Sequence, residues 1–290
     1  DPDNPYELSK EEKEVVERLI FAFVNCEKLQ RHMQLLLKKG SMYKIYNRNL
    51  LYHGCIPLNE DGTFKEIQVY DKVYKGKELY DVLETYVRKA FVAVDEREKE
   101  KGKDILWFIW SSPSSPLFGK DKMATFERYF LAEEETHKEN KNAYYKFLED
   151  EAVAARILQE FHVTGECTHI VNGHVPVHHG AGESPIKCGG KLLIIDGGFS
   201  RAYQKETGIA GYTLIYNSWG MILAAHEPFT SAADAISKES DILSDSILVK
   251  RTVKRKTVGE TDIGMKLKER IAELEELLAA YRDGLLIEKS

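Results

Sequence analysis

Three stretches bring a side chain capable of chemistry to the end of an apolar run, next to a glycine. Ile170-Val-Asn-Gly-His-Val-Pro-Val177 passes from apolar residues to Asn172-Gly173-His174. Lys191-Leu-Leu-Ile-Ile-Asp-Gly-Gly198 ends on Asp196-Gly197-Gly198, and Leu50-Leu51-Tyr52 runs into His53-Gly54. In α/β proteins, polar residues at the carboxyl ends of buried strands are where ligands sit. A neutral imidazole there is a common ligand for Zn, Mn or Fe. His53 and His174 could therefore serve one metal ion or a pair. The alternative is two ordinary strand exits whose histidines only pack. A two-metal hydrolase also needs carboxylates, usually a bridging one. Asp196 is the best candidate, but its Asp-Gly-Gly setting fits a pocket-shaping turn equally well. The chain has no convincing Asp-x-His or Gly-Asp-x-x-Asp cluster, so its residues spell half a metal site.

Cationic residues form a second set. Gly119-Lys120 follows an apolar run and opens an expected helix, a setting that suits anions; a surface loop is the alternative. It lacks the Walker A pattern. Arg201 and Lys205 stand at i and i+4 on an expected short helix and so would share one side of it. His178 and His179 are adjacent, and on extended backbone they point opposite ways, so at most one faces a given site. Cys26, Cys55, Cys167 and Cys188 show no Cys-x-x-Cys spacing and read as reduced, mostly packed thiols.

The elements that must position these groups follow from periodicity. Apolar spacing predicts one long or two short helices over about 9–39, with a capping box at Ser9 and Glu12 and with His32 in the apolar stripe. A hairpin is expected over 41–52, its second strand delivering His53. Helices are expected over 76–98, 121–130, 144–161 and 263–282, the last with Leu267, Ile271, Leu274, Leu278 and Tyr281 on a buried stripe. The run 104–110 reads as a buried strand, 209–226 as a hairpin about Ser218-Trp219-Gly220, and 247–258 as a basic strand or strand pair at a sheet edge. The stretch 230–243 is Ser/Asp-rich, with one helical turn at most. Helices alternating with short strands and hairpins predict an α/β chain built on a mixed sheet.

Composition narrows the class. The 290 residues are 43% hydrophobic and 30% charged, as in a soluble globular protein. A net charge of −6 gives no global field for nucleic acid, and no apolar stretch spans a membrane. There is no signal peptide, which with the free cysteines favours the cytoplasm; the opening Asp-Pro-Asp rather than Met suggests a processed or truncated piece.

Longer motifs carry a resemblance. Tyr43-Lys-Ile-Tyr46 through Leu51-Tyr-His-Gly-Cys-Ile-Pro-Leu58 resembles class III fructose-1,6-bisphosphatase, within the calcineurin-like metallophosphoesterases. So do Leu117-Phe-Gly-Lys120 with Thr125-Phe-Glu-Arg-Tyr-Phe130, Asn172-Gly-His-Val-Pro-Val177, and Asp196-Gly-Gly-Phe-Ser-Arg-Ala-Tyr-Gln204. The upstream Asp-x-His and Gly-Asp-x-x-Asp motifs of that superfamily are absent, so the likeness is to a C-terminal part.

The resemblance implies a mixed-sheet sandwich flanked by helices, part of a calcineurin-like metallophosphoesterase fold. It implies residues 1–245 as part of the catalytic domain, with a helical insertion at about 76–162, and 246–290 as a basic strand and helix. It implies Mn2+ held partly by His53 and His174 and completed from outside this chain. Fructose 1,6-bisphosphate would be the substrate, losing its 1-phosphate; charge complementarity, rather than the likeness, singles out Lys120, Arg201 and Lys205 as nearest to it. The other half, in the same or a separate chain, would be a partner, and a homo-oligomer stays open. The competing readings are a non-catalytic interaction half and a phosphatase for phosphoproteins or dinucleoside polyphosphates.

Overall fold

The computed structural model describes residues 3–4, 6–165, 167–201, 203–228, 231–239, 244–252 and 254–287. The chain divides into two units, Asp1–Met42 and Tyr43–Ser290. The first unit holds two helices, α1 (Lys10–Val24) and α2 (Glu27–Lys39). Ser9 caps α1: its Oγ accepts from the Glu12 amide, and Glu12 accepts from the Ser9 amide in return. No residue of either helix is buried, His32 included, although the spacing predicts a packed stripe.

The second unit opens with the expected hairpin, β1 (Tyr43–Tyr46) and β2 (Asn49–Tyr52). A small ribbon follows, β3 (Ile67–Val69) with β4 (Lys72–Tyr74). The helix expected over 76–98 ends earlier, as α3 (Gly76–Val92), because the chain leaves helical geometry at Ala93 and Asp95 caps a new helix, α4 (Glu96–Ser111). The strand expected at 104–110 is therefore the last turns of α4. That run is apolar at nearly every position, so its period is ambiguous. Packing resolves it: Ile105 and Ile109, four apart, are buried, while Trp107 and Trp110 are exposed. Gly102 lets α4 press against α3, since a Cβ there would come within 2.4 Å of the Ala90 amide nitrogen.

Two further helices are shorter than expected. α5 covers only Thr125–Phe130, and α6 only Glu151–Glu160, capped by Asp150 after a separate 3-10 turn at Ala143–Lys146. Next come β5 (His169–Asn172), β6 (Ile186–Lys187) and β7 (Leu192–Ile194). α7 (Gln204–Thr207) begins after Arg201, so Arg201 and Lys205 do not share a helix face. β8 (Gly211–Asn217) and β9 (Gly220–His226) form the second expected hairpin. The stretch 230–243 is described only over 231–239, where α8 (Ala232–Ser237) lies.

The basic strand ends early, as β10 (Ser244–Arg251), on the edge of the sheet with β9; Val253 of the expected strand lies outside the described residues. α9 (Asp262–Arg282) closes the unit, and its expected buried stripe is half exposed, from 45% at Tyr281 to 54% at Ile271.

The main sheet runs β1-β2-β5-β7-β6 and is mixed: β2, β5 and β7 are parallel neighbours, and the outer pairs are antiparallel. Strand alternation sends its two faces to different partners. Leu51, Val171 and Leu193 stand in register and share one apolar cluster with Met221, Leu214 and Val249 of the sheet β10-β9-β8. The next register layer, Leu50, Ile170 and Leu192, lies on the opposite face and is almost wholly buried. Tyr52 belongs to that face, with its ring edge-on to Tyr80 of α3 and to Tyr144. The second unit is thus α/β, with α3 on one side of a mixed sheet and a second sheet on the other.

Candidate metal centre

The parallel pairing of β2, β5 and β7 puts three polar strand ends side by side. β2 hands over to His53, β5 to Asn172-Gly173-His174, and β7 to Asp196. Backbone bonds lock these ends together: the Gly173 amide donates to the His53 carbonyl at 2.9 Å, and the Val177 amide to the Asp196 carbonyl at 2.8 Å. Glycine is required at 54, where a Cβ would lie 2.5 Å from the Pro116 carbonyl oxygen. His174 takes φ +69°, the left-handed region, which costs a non-glycine residue about 1–3 kcal/mol. That backbone aims its ring at His53.

The two imidazoles meet. His53 Nε2 and His174 Nδ1 are 3.0 Å apart, with the rings edge to face. His174 Nε2 lies 2.7 Å from the Phe118 carbonyl oxygen. A carbonyl only accepts, so His174 carries its proton on Nε2 and turns the lone pair of Nδ1 toward His53. Burial pulls the His53 pKa below its ordinary value, and the neighbouring His174 adds to this against the opposing charge of Asp196. Both effects favour a neutral ring, the form that ligates metals. Asp196 borders the pair: a Cβ on Gly173 would lie 3.6 Å from Asp196 Oδ2, while Oδ1 accepts from the Gly198 amide at 2.9 Å. Asp196 therefore both shapes the turn and faces the site.

The cations are more dispersed. Lys120 lies two residues beyond the Phe118 carbonyl that holds His174, and it pairs with Glu139 at 2.8 Å. Arg201 and Lys205 are exposed, and among the described contacts neither touches the histidines. His178 and His179 are exposed as well. Cys55 is fully buried and its thiol is pushed up to about 12 by that burial, so it packs and does not ligate.

Periodicity gave no sign of the polar network beneath the histidines. Asn172, 2% exposed, donates from Nδ2 to the Gly54 carbonyl at 3.0 Å and to Tyr144 Oη at 3.0 Å. Tyr144 Oη lies 2.7 Å from Tyr52 Oη. The only sequence signal was adjacency: Tyr52 precedes His53, and Asn172 stands two residues before His174.

Residues 1–283 match the family model described as "Firmicute fructose-1,6-bisphosphatase". The chain belongs to that family. It is 53% identical over 290 residues to "Fructose-1,6-bisphosphatase class 3" of Clostridium novyi, covering 100% of this chain and 44% of that protein. The namesake of Listeria innocua is 53% identical over 291 residues, covering 100% and 45%. That of Clostridium tetani is 52% identical over 289 residues, covering 99% and 44%. The chain spans less than half the length of these relatives. No solved structure matches it.

The donor set fits part of a metal shell. His53 Nε2 and His174 Nδ1, 3.0 Å apart, are close enough to serve one ion. His174 also donates its other ring N–H to a backbone carbonyl, the outer contact that metal-ligating histidines usually make. Among the described residues, no group of three or more His, Cys, Asp or Glu side chains could hold a metal ion. The two imidazoles fit as a fragment of a site.

Proposed function

We propose that this chain forms one side of the active site of a cytoplasmic class III fructose-1,6-bisphosphatase, which removes the 1-phosphate of fructose 1,6-bisphosphate in gluconeogenesis. The observation that carries it is the convergence of His53 Nε2 and His174 Nδ1 at 3.0 Å, with His174 oriented by the Phe118 carbonyl. The family supplies the substrate class. His53 and His174 would hold Mn2+, with the remaining donors supplied from beyond this chain, in the same or a partner polypeptide. When bound, a divalent pair supplies positive charge to phosphoryl oxygens and makes water a nucleophile at neutral pH.

The chain's own part is to bind and orient. His174 keeps its Nε2 proton on Phe118 and offers Nδ1. His53 offers Nε2 once its proton sits on Nδ1. Lys120, Arg201 and Lys205 would neutralise the two phosphates, Lys120 by exchanging Glu139 for a phosphate oxygen. Two sheets in a common core with helices outside suit the calcineurin-like layering.

Metal content and phosphate release of the full-length protein test this reading. His53→Ala and His174→Ala are each expected to cut bound Mn2+ and activity at least tenfold. Unchanged metal and activity in both variants would sink it. A preference for phosphopeptide over fructose 1,6-bisphosphate would move the substrate assignment to another phosphatase class.

A further inference from the structure

The strand ends that carry His53 and His174 are joined below the site by a buried polar chain. Asn172 is its hub, with Nδ2 on the Gly54 carbonyl at 3.0 Å and on Tyr144 Oη at 3.0 Å. Gly54 follows His53 directly, and its carbonyl can only accept, so the amide orientation is fixed. Tyr144 Oη accepts from Asn172 and shares a second hydrogen bond with Tyr52 Oη at 2.7 Å. Tyr52 precedes His53. One amide and two phenols thus hold the chain on both sides of His53, at Tyr52 and Gly54, and β5 two residues before His174.

The arrangement is not the one stability alone would choose. Asn172 Oδ1 is buried and has no hydrogen-bond partner among the described residues. An orphaned buried acceptor costs stability, and a leucine of similar shape would avoid it. The asparagine is therefore explained by what Nδ2 does. It holds a histidine pair whose backbone is already strained at His174, with φ +69°.

We propose that Asn172 is a positioning residue. Through Gly54 and the Tyr144–Tyr52 pair it sets the separation of the His53 and His174 rings for metal capture. This rests on the metal reading of the pair proposed above. Outer contacts that orient ligands are worth 10–100-fold in metal affinity, and Asn172 acts one step further in, through the backbone that carries the ligands.

The test titrates Mn2+ into the full-length protein, reading free Mn2+ by electron paramagnetic resonance, and in parallel follows thermal unfolding of the metal-free protein. Asn172→Leu keeps the branched skeleton, with slightly more bulk, and deletes both Nδ2 bonds. It is expected to weaken Mn2+ binding about tenfold or more while the metal-free protein still unfolds cooperatively. Tyr144→Phe removes one of the two acceptors and is expected to weaken binding less. A purely structural role predicts the opposite pattern, with lower thermal stability and unchanged affinity of the folded protein, and that result overturns the proposal. If Asn172→Leu does not fold, Tyr144→Phe decides alone: unchanged affinity overturns the proposal and a measurable loss supports it. Wild-type protein whose Mn2+ binding is indifferent to His53→Ala and His174→Ala overturns the underlying site as well, which separates the two failures.

Discussion

The sheet core around β5 and the helix α9 are written in the same residues and end in opposite environments. Ile170 and Leu193 are fully buried, whereas Leu274 of α9 is 49% exposed. Both regions carry regular apolar spacing. The sheet has a layer on each side: Leu51, Val171 and Leu193 meet the second sheet, and the opposite face meets the tyrosines of the helical side. The described part of the chain lays nothing of that kind along α9. Periodicity tells which face of an element is apolar; whether another element covers that face is settled elsewhere in the chain. The hydrogen bonds at the start of α9 make the same point. Its first residue, Asp262, exchanges backbone–side-chain bonds with Asn47 of the β1–β2 turn at 2.7 and 3.0 Å, so the helix is docked by its end and not by its stripe.

The contrast can be broken or sharpened by three measurements on the 290-residue chain. The largest effect belongs to the sheet. Ile170→Ala is expected to lower unfolding free energy in denaturant by about 2–5 kcal/mol, the range for truncating a fully buried aliphatic side chain. A loss below about 1 kcal/mol would mean that the core is far looser than its burial implies.

The next effect is set by pH. His169, at the start of β5, is buried and faces Asn49, with Nδ1 and the Asn49 Oδ1 3.0 Å apart. Burial first, then Lys250 and Lys256, pull its pKa from 6.5 to about 4. The unfolded chain therefore binds the proton at higher pH than the fold does. Stability from this residue is complete above about 6.5, is lost as the pH falls toward about 4, and changes no further below that. The expected loss is about 3 kcal/mol. Urea melts at stepped pH should show it, and His169→Gln should flatten that part of the profile. An unaltered profile in the variant would assign the acid sensitivity to other groups.

The smallest effect belongs to α9. Leu274→Ala is expected to change stability by no more than about 0.5 kcal/mol in the same melts, because the side chain stays half in water and alanine favours helix. A cost of about 2 kcal/mol would show that the stripe is covered in solution.

The site divides along similar lines. His53 and His174 stood out in the sequence because each ends an apolar run beside a glycine, and in the structure they touch. Lys120 was legible as a cation next to that region, but its pairing with Glu139 was not, since the two are 19 residues apart. Arg201 and Lys205 look like an i, i+4 pair on paper, and the helix that would have aligned them starts at Gln204. Asn172 was visible only as part of a strand exit; its role depends on Tyr144 and Gly54, which only folding brings to it.

Local features were legible in short runs of residues. These include the capped helix at Ser9, the hairpins at β1–β2 and β8–β9, and the histidine-bearing strand ends. Each follows from spacing, turn chemistry and alternation over a few residues. Long-range packing made 104–110 helical, left the face of α9 half exposed, and turned the His174 Nδ1 toward His53. Those outcomes depend on partners distant in the chain: α3 against Gly102, and the Phe118 carbonyl against a ring 56 residues away. An apolar pattern carries no record of which distant surface will meet it, and a histidine carries none of which carbonyl will hold its proton.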